Sequence, residues 1–455
     1  MRYIPHSEAD VKLMLERIGA ASIDELFEQI PSGLRFGREL DLPPPMSEPE
    51  LMTHLQHLAG VLPAEGKVSF LGAGAYCHHT SPAADQLLLR SEFYTAYTPY
   101  QPEVSQGTLQ AIFEFQTMVC RLLGMGTANA SMYDAATAMT EAALMARRVT
   151  GRDRVAVSAG VHPEYRAVLA TYLRNLDGEP RIDLVPVDAK TGATDLAALA
   201  RVTGDHTACV VLGYPNFFGV VERLDEAAAI AAKAGALIVS CTAEPYALGV
   251  LAPPGDLGVD IATGEGQPLG VPVSFGGPGL GLFAIRDDRK LLRQMPGRLV
   301  GQTTDTAGKT GYVLTLSTRE QHIRREKATS NICTNHGLCA LAATIHLSLL
   351  GRTGFVEVSR SCLARAEYLK ALISKVPGCE LRYTGPTFNE FAVRLQGGRK
   401  AQAVIAALLD KCLLAGVDLG RFDPAMDDTL LVAVTECVPR EILDCYAAAL
   451  SAALA

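Results

Sequence analysis

Short apolar runs alternate with longer amphipathic stretches through the middle of the chain, and this alternation constrains the fold more than any other feature. Amphipathic segments such as residues 163–176 and 224–234 separate the runs. Because nearly continuous apolar strands are buried on both faces, this order predicts a mostly parallel sheet covered by helices on both sides. A ligand is then expected at the carboxyl ends of the strands. The apolar runs are Arg154–Val157, Ile182–Val187, Cys209–Leu212 and Ala236–Val239.

The segments before and after this region have different patterns. Residues 1–62 predict a helical N-terminal arm, because three serines are each followed by an acidic residue three positions later, as in helix capping boxes. We expect this arm to pack over another surface, either its own domain or a partner subunit. Residues 63–340 predict the large α/β domain, and residues 341–455 a small α+β domain. The capping pairs are Ser7/Asp10, Ser22/Glu25 and Ser47/Glu50.

Composition excludes several classes of protein. The chain has 455 residues, a formal net charge of −8 and 48% hydrophobic residues, which argues against a disordered protein and against one that coats nucleic acid. Eleven cysteines without a C-x-x-C pair argue against a disulfide framework and against a zinc ribbon. The longest apolar segment, residues 337–351, is shorter than the roughly 20 residues that a membrane span needs. We therefore expect a soluble cytoplasmic protein that contacts neither nucleic acid nor membrane.

A polar loop between two prolines is the first candidate site. It carries hydroxyls, amides and one acid, and two interpretations remain open: a buried irregular connection, or the wall of a site offered to a neighbouring subunit. The candidate residues are Tyr97, Tyr100, Gln101, Glu103, Ser105 and Gln106.

Three further motifs allow chemistry but favour ordinary structural roles. Residues 129–138 open a helix whose start could receive a phosphate, although Asp134 supplies a negative charge there and favours an N-cap. The aromatic loop at residues 212–219 follows a buried strand and could belong either to the core or to a site. Cys77, His78 and His79 are unlike a metal site, because neighbouring residues of a strand point to opposite faces. No metal is predicted.

Five motifs, in the same order along the chain, resemble the P-protein of the glycine cleavage system, glycine decarboxylase. The resemblance covers essentially the whole chain and is to the separate N-terminal, or alpha, subunit found where the enzyme is split. It implies an aspartate-aminotransferase-like fold, which is fold type I of the pyridoxal-phosphate-dependent transferases. The motifs are Tyr97–Gly107, Met132–Ala138, Gly264–Gly270, Phe275–Gly279 and Ala328–Asn335.

The resemblance also implies a place for the cofactor that this sequence does not match. Enzymes of this fold hold pyridoxal phosphate on a lysine after a buried strand, where this chain has Glu265, Gly266 and Gln267. No lysine occurs between Lys233 and Lys290. An aspartate expected at the end of the preceding strand is absent, and Glu244 stands near its place. We therefore expect no cofactor in this chain alone.

What the resemblance implies is a subunit that completes another chain's active site. The expected assembly is an α₂β₂ heterotetramer in which the P-protein beta subunit carries pyridoxal phosphate. The complete enzyme decarboxylates glycine and passes the aminomethyl group to the lipoyl arm of H-protein. The polar loop residues named above are the candidates for reaching the beta subunit's pocket.

Two other hypotheses remain open from the sequence. The chain could be a self-sufficient pyridoxal-phosphate enzyme that uses another lysine, such as Lys309 or Lys327. It could also be a noncatalytic scaffold or regulatory protein. Uptake of pyridoxal phosphate by the isolated chain would indicate the first, and a co-purifying homologous chain with an intact lysine motif would argue against the second.

Overall fold

A computed structural model describes residues 5–61, 66–176 and 181–455. The chain divides into two compact units, Met1–Glu65 and Gly66–Ala455. The first unit contains helices α1 and α2. The other helices and all the described strands belong to the second unit.

The fourteen helices of the described residues vary widely in length, and several short 3₁₀ turns lie between them. The helices are α1 Glu8–Ile18, α2 Glu48–Gly60, α3 Pro82–Leu88, α4 Ser91–Tyr94, α5 Gln106–Leu123, α6 Ala135–Thr150, α7 Pro163–Leu173, α8 Leu196–Val202, α9 Leu224–Lys233, α10 Arg289–Gln294, α11 Gln321–Arg324, α12 Gly337–Ile373, α13 Ala401–Leu409 and α14 Arg440–Leu454.

Fifteen strands occur among the same residues. They are β1 Val68–Ser69, β2 Thr127–Ala128, β3 Arg154–Ser158, β4 Arg181–Val185, β5 Thr207–Gly213, β6 Leu237–Thr242, β7 Ile261–Glu265, β8 Gly281–Ile285, β9 Leu299–Thr304, β10 Thr310–Thr315, β11 Cys379–Leu381, β12 Glu390–Leu395, β13 Leu413–Leu414, β14 Val417–Asp418 and β15 Thr429–Ala433.

The main sheet has seven strands in the order β2-β8-β7-β6-β5-β3-β4. Strands β7, β6, β5, β3 and β4 are parallel to one another. At one edge, β8 pairs antiparallel with β7, and β2 pairs antiparallel with β8. Every residue of β5 is buried, as its uninterrupted apolar run predicts. The prediction of a mostly parallel sheet with helices on both faces is confirmed. The four apolar runs that predicted it correspond to β3, β4, β5 and β6.

Two apolar cores lie on opposite faces of this sheet. Val210, Leu212 and Ile238 belong to one core, which includes residues of α5, α9 and α12. Val211 and Val239 belong to the other, which includes residues of α6 and α7. Neighbouring strand residues enter different cores because side chains alternate between the two faces of a strand.

The C-terminal part contains a four-stranded antiparallel sheet of order β11-β12-β15-β14. Helices α12, α13 and α14 pack against it around a third core. The predicted domain boundary after residue 340 falls inside α12, which continues to Ile373 with a non-helical break at Gly351. Residues 66–455 form one compact unit. The division into a large and a small domain at residue 340 stays a prediction.

Helix α12 is one described helix that is long and apolar enough, by length and composition alone, to cross a membrane. The apolar segment predicted from the sequence ended at Gly351, but the helix continues to Ile373. Core helices pass the same test, and α12 buries residues such as Ala340, Ala343 and His346.

Two of the three predicted capping serines lie at the start of an α-helix in the first unit. Ser7 and Ser47 each form a complete capping box before α1 and α2. Ser22 accepts a hydrogen bond from the backbone N–H of Glu25, but only a 3₁₀ turn follows. The apolar side chains of α1 and α2 include none that is buried. That the arm packs over another surface remains a prediction.

Candidate functional site

The carboxyl end of β7 meets the beginning of α6, and a glutamate joins them. Glu265 is the last residue of β7, and it is 6% exposed. Its carboxylate accepts hydrogen bonds from the backbone N–H groups of Ala135 (3.0 Å), Gln267 (2.9 Å) and Leu280 (2.7 Å). One carboxylate thereby pairs with backbone N–H groups in three places: the first residue of α6, the turn after β7 and the residue before β8.

A second carboxylate caps the same helix. Asp134 Oδ1 accepts from the backbone N–H of Thr137 and from its hydroxyl, both at 2.7 Å, in a capping box. The N-cap interpretation of Asp134 is confirmed. Burial raises the pKa of Glu265, its three backbone hydrogen bonds oppose this, and the charge of nearby Asp134 adds to the increase. Two amides at the start of α6, those of Ala135 and Thr137, are thus already paired with acidic side chains.

These residues do not fit pyridoxal phosphate. A Schiff base needs a lysine amine, and the residues after β7 are Gly266 and Gln267. A phosphate at the start of α6 would meet the negative charge of Asp134 and Glu265 at close range. Lys309 lies in the turn between β9 and β10 and Lys327 in a 3₁₀ turn before α12, and both are exposed.

Glu244, which the resemblance compares with the cofactor's aspartate, accepts three hydrogen bonds within the chain. It follows β6, is 3% exposed and accepts from the backbone N–H of Tyr246 at 3.0 Å. Its Oε2 also lies 2.8 Å from Nε2 of His78 and accepts from the amide of Asn389 at 3.3 Å. The carboxylate of Glu244 therefore binds only groups of the protein among the contacts described.

His78 links this glutamate to the C-terminal part of the chain. Its Nδ1 lies 2.7 Å from Oε2 of Glu436, and its side chain is 1% exposed. Burial would lower the pKa of His78, but the charge of Glu244 and hydrogen bonds to both carboxylates hold that pKa well above its usual value. Burial likewise opposes ionisation of Glu436, yet His78 lowers its pKa to about 2. The raised pKa of His78 and the lowered pKa of Glu436 both favour a charged pair between these two residues.

The side chains next to His78 in the sequence do not converge with it, although the backbone N–H of His79 donates to Glu436 at 2.8 Å. Cys77 and His79 are exposed, in an irregular segment rather than a strand, so the strand assumed from the sequence is wrong here. Potential ligand atoms of His78, Cys362 and Glu436 do lie within 4.8 Å of one another. Both ring nitrogens of His78 are already bound to carboxylates, as the distances above describe, which accounts for the cluster without an ion.

The polar loop separates into exposed and internally bonded residues. Tyr97 is 86% exposed, and Gln101 and Glu103 are also exposed. Ser105 is partly buried beside the start of α5. Gln106 is used inside the chain: its amide donates to the carbonyl of Tyr312 at 2.8 Å, and its Oε1 accepts from the N–H of Tyr312 at 2.9 Å.

Arg298 holds this loop in place, and the sequence analysis missed it. Its guanidinium donates to the hydroxyls of Tyr100 (3.0 Å), Thr98 (3.2 Å) and Thr334 (3.0 Å). It is 3% exposed and lies 3.5 Å from the carboxylate of Glu320. No local pattern distinguishes this arginine, since its partners lie about 200 and 36 residues away.

The aromatic loop after β5 belongs to the core. Phe217 and Phe218 are 6% and 9% exposed, and they pack together with Tyr383 and Phe422. The sequence left open whether this loop belongs to the core or to a site, and the burial of both rings shows that they pack in the core.

Comparison with known proteins agrees with this description. A family model described as glycine cleavage system P-protein matches residues 1–449. The probable glycine dehydrogenase (decarboxylating) subunit 1 of Sorangium cellulosum is 55% identical over 452 residues, 99% of each chain. The protein of the same name from Moorella thermoacetica is 50% identical over the full length of both chains.

Solved structures give the same result for the fold. A crystal structure of glycine decarboxylase (P-protein) of the glycine cleavage system, in inhibitor-bound form, superposes with a TM-score of 0.87 at 43% identity, covering 100% of both chains. The sphingosine-1-phosphate lyase of Burkholderia pseudomallei superposes with a TM-score of 0.68 at 18% identity, which shows the fold alone. The aspartate-aminotransferase-like fold and the resemblance read from the motifs are both confirmed.

Proposed function

This chain belongs to the P-protein family of the glycine cleavage system, and we propose that it is subunit 1 of a glycine dehydrogenase (decarboxylating) built from two kinds of chain. Its relatives at 50–55% identity over almost their whole length carry that name. It acts in glycine cleavage as part of an enzyme, and alone it is inactive in our proposal.

The observation that carries this division of labour is the hydrogen bonding of Glu265. Its carboxylate accepts from the backbone N–H of Ala135, the first residue of α6, and no lysine lies between Lys233 and Lys290. The residues after β7 and at the start of α6 therefore offer neither the lysine amine nor the free anion site that the cofactor requires. Pyridoxal phosphate therefore belongs on the homologous partner, the beta subunit.

The cofactor, when bound to that partner, supplies the electron sink for loss of the carboxylate of glycine. H-protein then receives the aminomethyl group on its lipoyl arm. The present chain contributes shape and polar groups at the mouth of the partner's pocket. In support, Tyr97, Gln101 and Glu103 are exposed on a loop that Arg298 anchors through Tyr100.

The test is reconstitution with a homologous chain that has an intact lysine motif. Glycine-dependent exchange of carbon dioxide, with lipoylated H-protein, is measured for each chain alone and for the pair. We expect exchange only from the pair, and borohydride-reducible cofactor absorbance only on the partner. Full activity of the partner alone would remove the essential role of this subunit. Reducible cofactor on the isolated chain would favour the self-sufficient alternative.

The loop is tested in the same assay with Tyr100→Phe and Glu103→Gln. Tyr100→Phe removes the hydroxyl that accepts from Arg298, and Glu103→Gln removes one exposed charge. We expect each to reduce exchange in the pair. Glu357→Gln, which changes an exposed glutamate of α12, is the matched control. Full exchange and unchanged affinity for H-protein in both loop variants would refute their role.

The proposed assembly is an α₂β₂ heterotetramer in the cytoplasm. The word "subunit" in the relatives' names supports a second chain but leaves the stoichiometry open. The mass of the co-purified complex in solution tests the stoichiometry, and cell fractionation tests the location.

A further inference from the structure

A buried glutamate in the middle of α6 has a carboxylate oxygen without a partner. Glu141 is 1% exposed, and its Oε2 accepts no hydrogen bond from the described residues. Burial raises the pKa of Glu141, while the charge of Arg148 and a hydrogen bond with Ser330 oppose the increase. Buried polar atoms in folded proteins are almost always hydrogen-bonded. The free oxygen of Glu141 therefore calls for a donor that the described chain does not supply.

The same glutamate lines a cavity along the second half of α6. The cavity measures about 470 Å³, which is within the range of small-molecule sites. Residues 328–331, which belong to the fifth sequence motif, form part of its wall. Glu265 bonds to Ala135 at the first residue of α6, so the cavity is separate from the edge described above. The other lining residues include Leu144, Arg147, Arg148 and Asp153.

An arginine of this cavity lacks an acceptor. Arg147 donates to the carboxylate of Asp153 at 2.7 Å through a terminal nitrogen, and its side chain is 12% exposed. Its Nε is buried and has no hydrogen-bond partner among the described residues. The next residue, Arg148, donates to the carbonyl of Gln294 at 3.2 Å. The cavity therefore holds an acceptor without a donor, on Glu141, and a donor without an acceptor, on Arg147.

The charges around the cavity balance. Glu141 and Asp153 are acidic, Arg147 and Arg148 are basic, and the described lining has no other ionisable side chain. A simple anion would be repelled by the carboxylate of Glu141, and a simple cation by the two guanidinium groups. A ligand that carries one charge of each sign pairs with both unsatisfied atoms and leaves the balance unchanged.

The spacing of the two unsatisfied groups sets the length of this ligand. Glu141 and Arg147 are six residues apart, which is about 9 Å along the axis of a helix. The ammonium and carboxylate of an α-amino acid are attached to the same carbon, so they are too close together to reach both residues. Leu144 lies between the two in the chain, is partly buried and lines the cavity. It offers an apolar contact to a short aliphatic chain.

We propose that this cavity binds a small ω-amino acid, a zwitterion whose ammonium and carboxylate are separated by a short chain of methylene groups. The ammonium donates to Oε2 of Glu141, the carboxylate accepts from Nε of Arg147, and the methylene groups contact Leu144. The ligand differs from glycine, and the site uses none of the residues to which the proposed function assigns a role. The proposal therefore goes beyond that function and does not depend on it.

The test is calorimetric titration of the full chain with δ-aminovalerate. We expect a dissociation constant below about 1 mM. Valerate lacks the ammonium, pentylamine lacks the carboxylate, and glycine carries both groups on one carbon, so each should bind at least about tenfold more weakly. A dissociation constant above about 10 mM for δ-aminovalerate would overturn the proposal. Equal binding of valerate, pentylamine or glycine would overturn the two-charge ligand or its length.

Two variants place the binding in this cavity. Glu141→Gln and Arg147→Met each remove one charged contact, and each should raise the dissociation constant of δ-aminovalerate at least about tenfold. Glu357→Gln and Arg360→Met make the same changes at exposed positions of α12 and should bind like the wild type. Wild-type affinity in both cavity variants would show that the ligand binds elsewhere. If one cavity variant does not fold, the other still decides.

The titration uses neither a partner chain nor glycine exchange. A failure of the proposed function in the reconstituted pair would leave the binding of δ-aminovalerate unchanged. Absence of that binding, in turn, would overturn this site and leave the division of labour between two chains as it stands.

Discussion

Glu265 shows how one buried side chain can pair backbone groups from three separate segments. Its carboxylate accepts three backbone hydrogen bonds at the end of β7 and is nearly inaccessible to solvent. Burying an ionised group is costly unless it is hydrogen-bonded, and here the bonds come from amides that would otherwise be unpaired. The residue therefore has a structural role of its own.

Replacing Glu265 with alanine should destabilise the chain substantially. Three buried amides lose their acceptor, and each unsatisfied group costs on the order of 1–3 kcal/mol, partly relieved by water. We expect a loss of roughly 2–4 kcal/mol in the free energy of unfolding, measured by chemical denaturation. Glu103→Ala, at an exposed site, should change it by less than about 0.5 kcal/mol. Equal effects of the two substitutions would contradict this role.

Glu390 is a second buried acid with a measurable consequence. It accepts from the N–H of Ala73 at 2.7 Å and from the hydroxyl of Tyr76 at 2.8 Å. Burial raises its pKa from 4.5 to about 7, against the effect of both hydrogen bonds and with some help from the charge of Glu244. At pH 6 the folded chain thus binds a proton that the unfolded chain has released.

The pH dependence of stability follows from this difference. Because the folded pKa is the higher one, the stabilisation is complete below about pH 4.5 and is lost as pH rises towards 7. The loss is at most roughly 3 kcal/mol at 1.36 kcal/mol per pKa unit. Glu390→Gln should flatten the fall in unfolding free energy between pH 5 and 8, measured by urea denaturation. A variant with the wild-type slope would show that another group titrates.

At the scale of elements, the loop after β5 joins the main sheet to the C-terminal sheet. Residue Gly219 has φ +80° and lies so close to β12 that an added Cβ would be 1.8 Å from the carbonyl oxygen of Glu390. Val220 then forms a bridge with Thr387. Only glycine permits both this backbone conformation and this approach.

Gly219→Ala should therefore disrupt the junction. The new methyl meets backbone atoms, which cannot move aside as a flexible side chain could. We expect a loss of more than about 3 kcal/mol, or failure to fold, detected by thermal unfolding. The control Gly204→Ala has nothing within 4 Å of its added Cβ and should leave the midpoint nearly unchanged. A mild effect of Gly219→Ala would mean that the two sheets shift readily.

The whole molecule consists of a small helical unit and a large unit with its own cores. Every residue of the described core clusters lies at position 68 or later. The first unit carries eleven acidic and five basic residues in positions 1–65, a net charge of −6 out of −8 for the chain. The larger unit therefore owes none of its described cores to the arm.

A chain that begins at Gly66 should fold. Because the apolar cores remain complete, we expect the native circular dichroism of the larger unit and one cooperative transition, with a midpoint within a few degrees of the full chain. Differential scanning calorimetry on both chains measures this. Aggregation or loss of the cooperative transition in the shorter chain would show that the arm is needed for folding.

Features that depend on residues close together in the sequence were predictable, and contacts between residues far apart in the sequence were not. The strands β3, β5 and β6 and the capping residue Asp134 were predictable, because period and capping are local properties. The roles of Arg298 and His78 were not, since their partners lie far along the chain. The polar loop is unusual in its sequence, and its reach into a partner stays a prediction.

The sequence by itself determined the order of strands and helices, the family, and the absence of a lysine after β7. These depend on residue type and local spacing, which a linear chain displays directly. Only the tertiary structure decided which groups Glu265 and His78 contact. The N–H of Ala135 reaches Glu265 across 130 positions, and His78 reaches Glu244 and Glu436 across 166 and 358. The packing of helices, irregular segments and the C-terminal part against the main sheet brings such distant residues together, so their pairing is a property of the folded chain.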